Sequence, residues 1–174
     1  MLKKYSNKRV ALHWITAPLI IFSLLMGTFV LDGMPNNLEK INYLQVHMII
    51  GFVVGLLTLI RIFVKKNHLP LEPLKVENEA RKKLIKVTHF ALYSLILLMV
   101  ASGVTLSIMS GLGEIVFFGS SAPLPEDFSI YLPRKAHGIF AKVLFAFIGI
   151  HIVGVLLYKF KTDSSISKRM WFGK

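Results

Sequence analysis

The chain has 174 residues, of which 54% are hydrophobic, with no Cys and a formal net charge of +12. That length fits one domain, and so apolar a composition excludes an ordinary soluble globule. Without Cys, disulfides, iron–sulfur clusters, thiolate-ligated haem and covalent c-type haem attachment are all excluded, so any redox chemistry must rest on a cofactor held by other side chains, chiefly His.

Four apolar stretches follow one another, each long enough to cross a bilayer, which takes roughly 20 residues. A strand alone in lipid cannot satisfy its backbone, so each is read as a helix. The first covers residues 10–31 and carries no charge before Asp32. A basic front (Lys3, Lys4, Lys8, Arg9) precedes it, as in a signal peptide. The apolar run is longer than a signal peptide's and lacks a small-residue cleavage site, so it is expected to remain as the first helix. The second helix covers residues 41–64, its apolar run closing at Arg61. The stretch Leu69–Leu74, with Pro70 and Pro73, reads as a short stiff linker. The third helix covers residues 87–110, preceded by the basic run Arg81-Lys82-Lys83. An outer loop from Glu114 to Pro133 follows; Phe117-Phe118 suits the membrane interface, and Pro123, Pro125 and Pro133 argue against a regular helix. The fourth helix covers residues 136–160 and contains Lys142. The expected fold is an all-α integral membrane four-helix bundle forming a single domain.

Orientation follows from the basic residues. Seventeen Lys and Arg fall on the side of the termini, and four on the other: Lys40, Arg134, Lys135 and Lys142. Positive charge stays inside, so both termini are expected in the cytoplasm of a bacterial inner-membrane protein. Because the charges lie between apolar runs, the partner they imply is the lipid headgroup surface rather than nucleic acid.

Five of the six His lie within or at the ends of the apolar segments: His13, His47, His89, His137 and His151. His68 falls in the loop and reads as solvated. An ionisable residue inside a membrane is costly and marks function by default. With alternating helix directions, His13, His89 and His151 lie toward the cytoplasmic side, and His47 and His137 toward the outer side. His137 and His151 are fourteen residues apart, which is about 21 Å along a helix with an angular offset of only about 40°. Two ligands on one face at two depths suit two stacked cofactors and are too far apart for one zinc ion. At the outer level His47 is the partner available to His137. At the inner level either His13 or His89 suits His151, and helix geometry leaves that choice open.

The ordered set of Lys4-Tyr5-Ser6, His13-Trp14, His47, Arg61, His89 with Tyr93, and the His137/His151 pair resembles the bacterial di-haem cytochrome b561 family over nearly the whole chain. That family shares its fold with the cytochrome b subunits of formate dehydrogenase and nickel–iron hydrogenase. The resemblance implies two b-type haems. By position, His13 and His151 would be the axial iron ligands of the inner haem, and His47 and His137 those of the outer haem. His89 would then be a neighbour of the haem or a quinone-site residue, with Arg61 and Tyr158 beside it. The chain is expected to be complete, without an extra helix or a long soluble extension. In this it is similar to the stand-alone branch, which includes superoxide oxidases that reduce ubiquinone. It departs from the family where the third helix often has Pro; here the sequence is Ala101-Ser102-Gly103, and any kink would come from Ser and Gly.

On that reading Arg134, Lys135 and Lys142, beside His137, would steer superoxide to the outer haem or pair with its propionates. Lys142 would need such a partner, or would snorkel, if buried. Trp14 and Trp171 read as interfacial anchors, and Tyr158 otherwise as an aromatic-belt residue. The leading function is a di-haem oxidoreductase taking electrons from superoxide, or from another periplasmic redox partner, to ubiquinone. The reverse flow from quinol, and an anchor subunit wiring a partner enzyme to quinone, are the alternatives. A proton or metal transporter fits poorly, because the apolar segments hold no internal Asp or Glu.

Overall fold

A computed structural model describes residues 5–67, 79–162 and 170–172. Lys4, His68 and the Leu69–Leu74 linker lie outside these residues. Helix α1 (Asn7–Leu25) passes directly into a π-helical turn, Met26–Leu31. Helices α2 (Leu38–Lys66), α3 (Glu79–Ser110), the short α4 (Leu112–Phe117) and α5 (Leu132–Thr162) follow, with a 3-10 turn at Phe128–Ile130 before α5. Among the described residues, four helices are long and apolar enough to span a membrane: α1 with its π turn, α2, α3 and α5. The fold is therefore all-helical with four membrane-spanning helices.

The long helices overrun the apolar stretches because polar residues can extend a helix into the headgroup region at no cost to its backbone bonds. The run Arg81-Lys82-Lys83 is thus the first part of α3 rather than loop, with Lys82 donating to Glu79 one turn back (2.6 Å). In α2 the Asn37 side chain caps the start by accepting from the Lys40 amide (3.1 Å). Glu39 lies in its first turn and Lys65 and Lys66 in its last, each complementing the helix dipole. Gly111, at φ +69°, ends α3 in the left-handed conformation that glycine adopts without strain. Helix α3 runs unbroken through Ala101-Ser102-Gly103. The outer loop is more ordered than its prolines predict. Its Leu112, Ile115, Val116 and Leu124 pack on Ile41, Leu44 and Met48, forming a cap over the outer end of α2. Phe117 and Phe118 stay exposed on that cap.

Helix α1 packs on α2, α3 on α5, and α2 joins α3. The apolar core consists of Ile20, Leu24, Val54, Leu95, Ile96 and Leu144. On α5 Leu144 lies midway between His137 and His151, and with its neighbours in this core it forms an apolar layer between the two histidine levels. Large apolar side chains face outward instead of inward: Phe52 is 67% exposed and Phe90 75%. Such a surface is stable against lipid tails, where apolar exposure carries no penalty.

Candidate functional site

The helices bring five His together at two levels. At the outer level His47 of α2 faces His137 of α5, with ring centres 6.2 Å apart and planes at 70°. At the inner level His13 of α1 faces His151 of α5, with centres 6.5 Å apart and planes at 69°. His89 of α3 also meets His151, edge to face, at 5.2 Å.

These separations bear on whether a haem fits. Two nitrogen–metal bonds of about 2 Å, plus about 1 Å from each nitrogen to its ring centre, put two axial imidazoles about 6 Å apart. The His47–His137 and His13–His151 spacings match that sum. The His89–His151 spacing is an edge-to-face ring contact with no room for an ion between the rings. Among the described residues no group of three or more His, Cys, Asp or Glu converges on one point. A haem iron does not require one, since the porphyrin supplies four ligands and the protein two.

Each outer ring is held in the same manner. Ser23 Oγ of α1 lies 3.3 Å from His47 Nδ1, and Ser102 Oγ of α3 lies 3.0 Å from His137 Nδ1. A glycine stands against each Cε1. A methyl at Gly27 would come within 3.2 Å of the His47 carbon, and one at Gly103 within 3.3 Å of the His137 carbon. Gly27 belongs to the π turn, a distortion often found where a helix adapts to a functional site. From sequence, Gly27 and Gly103 suit close helix packing or cofactor approach, and Ser102 a kink; the serines' polar partners lie on other helices.

A cavity of about 1400 Å³ opens on this level and is lined by Gly27, His47, Gly103 and His137. It exceeds the roughly 300–1,000 Å³ of ordinary small-molecule sites, which leaves ample room for a haem. Arg134, Lys135 and Lys142 also line it. Arg134 is not a free cation: its guanidinium is paired with Asp32 at the end of the π turn. Lys135 and Lys142 are exposed, so Lys142 needs no buried partner. The fourth outer cation, Lys40, is buried and donates to Met34 O (2.7 Å) and Asn36 Oδ1 (2.8 Å). Asn36 in turn donates to Pro125 O (2.7 Å) and Glu126 O (3.0 Å), tying the first outer loop to the second.

The inner level is more polar. Arg61 Nη2 donates to His13 Nδ1 (3.1 Å), and its guanidinium lies 5.5 Å from the Tyr93 ring centre. His89 Nδ1 donates to Ile85 O at 2.7 Å. Arg61 and His89 are thus brought to the His13–His151 level. Tyr158 is buried in α5, at 6% exposure, rather than presented to the headgroups. Trp14 packs edge-on against His13 and donates to Met170 O (2.7 Å), while Trp171 meets Trp14 edge to face. The two tryptophans therefore bind a C-terminal segment to α1.

A family model described as prokaryotic cytochrome b561 matches residues 4–173. No curated protein matches the chain.

Proposed function

Because the chain belongs to the prokaryotic cytochrome b561 family, we propose that its two histidine levels hold two b-type haems and pass electrons between the membrane surfaces. Membership makes it a multi-pass membrane protein that binds haem b and transfers electrons. The observation that carries the two-haem reading is the pair of facing imidazoles at each of two depths, at haem-compatible spacing.

Haem supplies an iron that accepts and releases one electron at a time. The chain's own residues position it. His47 and His137 would hold the outer haem, and His13 and His151 the inner one. An imidazole bound to metal through Nε2 carries its proton at Nδ1, so Arg61 must release His13 Nδ1 when His13 ligates. Its guanidinium then remains beside Tyr93. One observation favours His89 as the partner of His151 instead: its Nδ1 proton is already held by Ile85 O, which leaves Nε2 unprotonated. The 5.2 Å ring contact opposes it, because the two rings would have to separate to admit a metal.

The electron donor is superoxide at the outer, periplasmic side, and the acceptor is ubiquinone. Two superoxide anions each give up one electron and leave as oxygen; the quinone takes both electrons and two protons. Exposed Lys135 and Lys142 at the cavity mouth support capture of a small anion. Arg61 and His89, with Tyr158 on the same stretch of α5, mark the quinone end. The 17-to-4 division of basic residues supports a cytoplasmic position for both termini in an inner-membrane protein.

Pyridine haemochrome analysis should give two non-covalent haems per chain. His47→Ala or His137→Ala should leave the inner one, His13→Ala or His151→Ala the outer one, and His89→Ala both. Loss of haem in His89→Ala, with His13→Ala unaffected, would overturn the inner pairing. Failure of superoxide to reduce the haems faster than it disproportionates would remove superoxide as the donor and leave a protein donor or quinol-driven flow.

A further inference from the structure

We propose that Ser102 is a positioning residue for the outer haem, fixing which nitrogen of His137 is free to bind metal. The inference rests on His137 being a haem ligand. Ser102 is 9% exposed and lies on α3, facing a ring on α5. Met99 O lies 2.9 Å from the hydroxyl and can only accept, so the geometry assigns the single hydroxyl proton to that bond. On that assignment the hydroxyl meets His137 Nδ1, 3.0 Å away, as an acceptor. It follows that Nδ1 bears the imidazole proton and Nε2 bears the lone pair.

The ring is also turned correctly. A methyl built on Gly103 would approach His137 Cε1 and Nδ1, at 3.3 and 3.6 Å, with Nε2 beyond 4 Å. The protonated edge thus faces α3, and the metal-binding nitrogen faces away from it. Met99 O, Ser102 Oγ and His137 Nδ1 form a directional chain, carbonyl to hydroxyl to imidazole. Such a chain does two things to a ligand. It excludes the wrong tautomer, and by accepting the Nδ1 proton it raises the electron density of the ring, which favours the oxidised metal.

A packing role for Ser102 predicts neither effect, so the test measures both. In the full-length protein, Ser102→Ala should weaken retention of the outer haem about tenfold or more. It should also raise that haem's midpoint potential while leaving the inner haem's affinity and potential in place. Ser102→Thr, which keeps the hydroxyl, should restore the potential toward the parent value. Haem release to an excess of apomyoglobin and a potentiometric titration read these quantities without any turnover assay. An unchanged outer haem in Ser102→Ala, equal loss of both haems, or failure of Thr to restore the potential would each overturn the proposal. His137→Ala separates the two levels of inference. If it keeps two haems, the ligand assignment itself is wrong. If it loses one while Ser102→Ala changes nothing, only the role of Ser102 is wrong.

Discussion

Replacing Gly103 or Gly27 by Ala tests whether the two outer histidines are held against a fixed wall. The new methyl would stand 3.3 Å from His137 Cε1 in one case and 3.2 Å from His47 Cε1 in the other. Carbon atoms pack comfortably at about 3.5–4.0 Å, so either ring must move by a few tenths of an ångström. Metal–ligand distances tolerate about 0.2 Å. The displacement would therefore be felt at the nitrogen that binds the iron. Disturbing the groups behind a metal ligand typically costs about 10–100-fold in metal affinity, or about 1.4–2.7 kcal/mol. Helix propensity acts in the opposite direction, favouring Ala over Gly by about 1 kcal/mol in a helix interior. Gly149→Ala and Gly154→Ala isolate that second term, since nothing lies within 4 Å of a methyl at either position. The expected result is weakened outer haem in Gly27→Ala and Gly103→Ala, with the inner haem retained. The two control variants should keep both haems and melt at or above the parent temperature. Haem content by difference spectroscopy, haem release on dilution, and thermal melts give the comparison. The reasoning fails if Gly103→Ala and Gly27→Ala hold the outer haem as tightly as the parent.

Other consequences reach beyond the haem pairs. Lys135→Glu reverses an exposed charge at the cavity mouth, so reduction by superoxide should slow several-fold at low salt. The difference should fade toward about 1 M salt, where charges are screened within about 3 Å; a salt-independent effect in stopped-flow mixing would point to a propionate contact instead. Lys40→Met removes the ammonium that ties Met34 O to the exposed Asn36 side chain, at a cost of about 0.5–1.5 kcal/mol. Thermal melting should register that loss, and limited proteolysis should cut the outer loop near Pro125 faster; unchanged melting would mean the clamp is incidental. A fluorescent-protein fusion at Lys174 should report a cytoplasmic location, and a periplasmic report would invert the orientation.

The four spans were legible in the sequence because a bilayer imposes length and composition directly: about 20 apolar residues must run together, and only a helix closes their backbone bonds. The two depths were legible for the same reason, since rise per residue and alternating direction set the level of each histidine without any knowledge of packing. What lay across the bundle was not legible. Sequence alone left His151 with two candidate partners; the packing of α1, α3 and α5 sets His13 at 6.5 Å and His89 in direct contact at 5.2 Å. It also could not tell that Arg134 is neutralised by Asp32, about a hundred residues away, or that Lys40 is buried in a clamp between two loops. The outer loop's prolines argued against a regular helix, yet α4 takes in residues 114–117, Pro133 lies in the first turn of α5, and nothing in the sequence signalled the apolar cap that α4 builds over α2. Ser23 and Ser102 look like any small polar residues in a membrane helix until the neighbouring helices place an imidazole beside each. Periodicity within one helix determines depth and face. Only the rotation and approach of one helix against another, settled by side-chain packing in three dimensions, decides which polar groups meet.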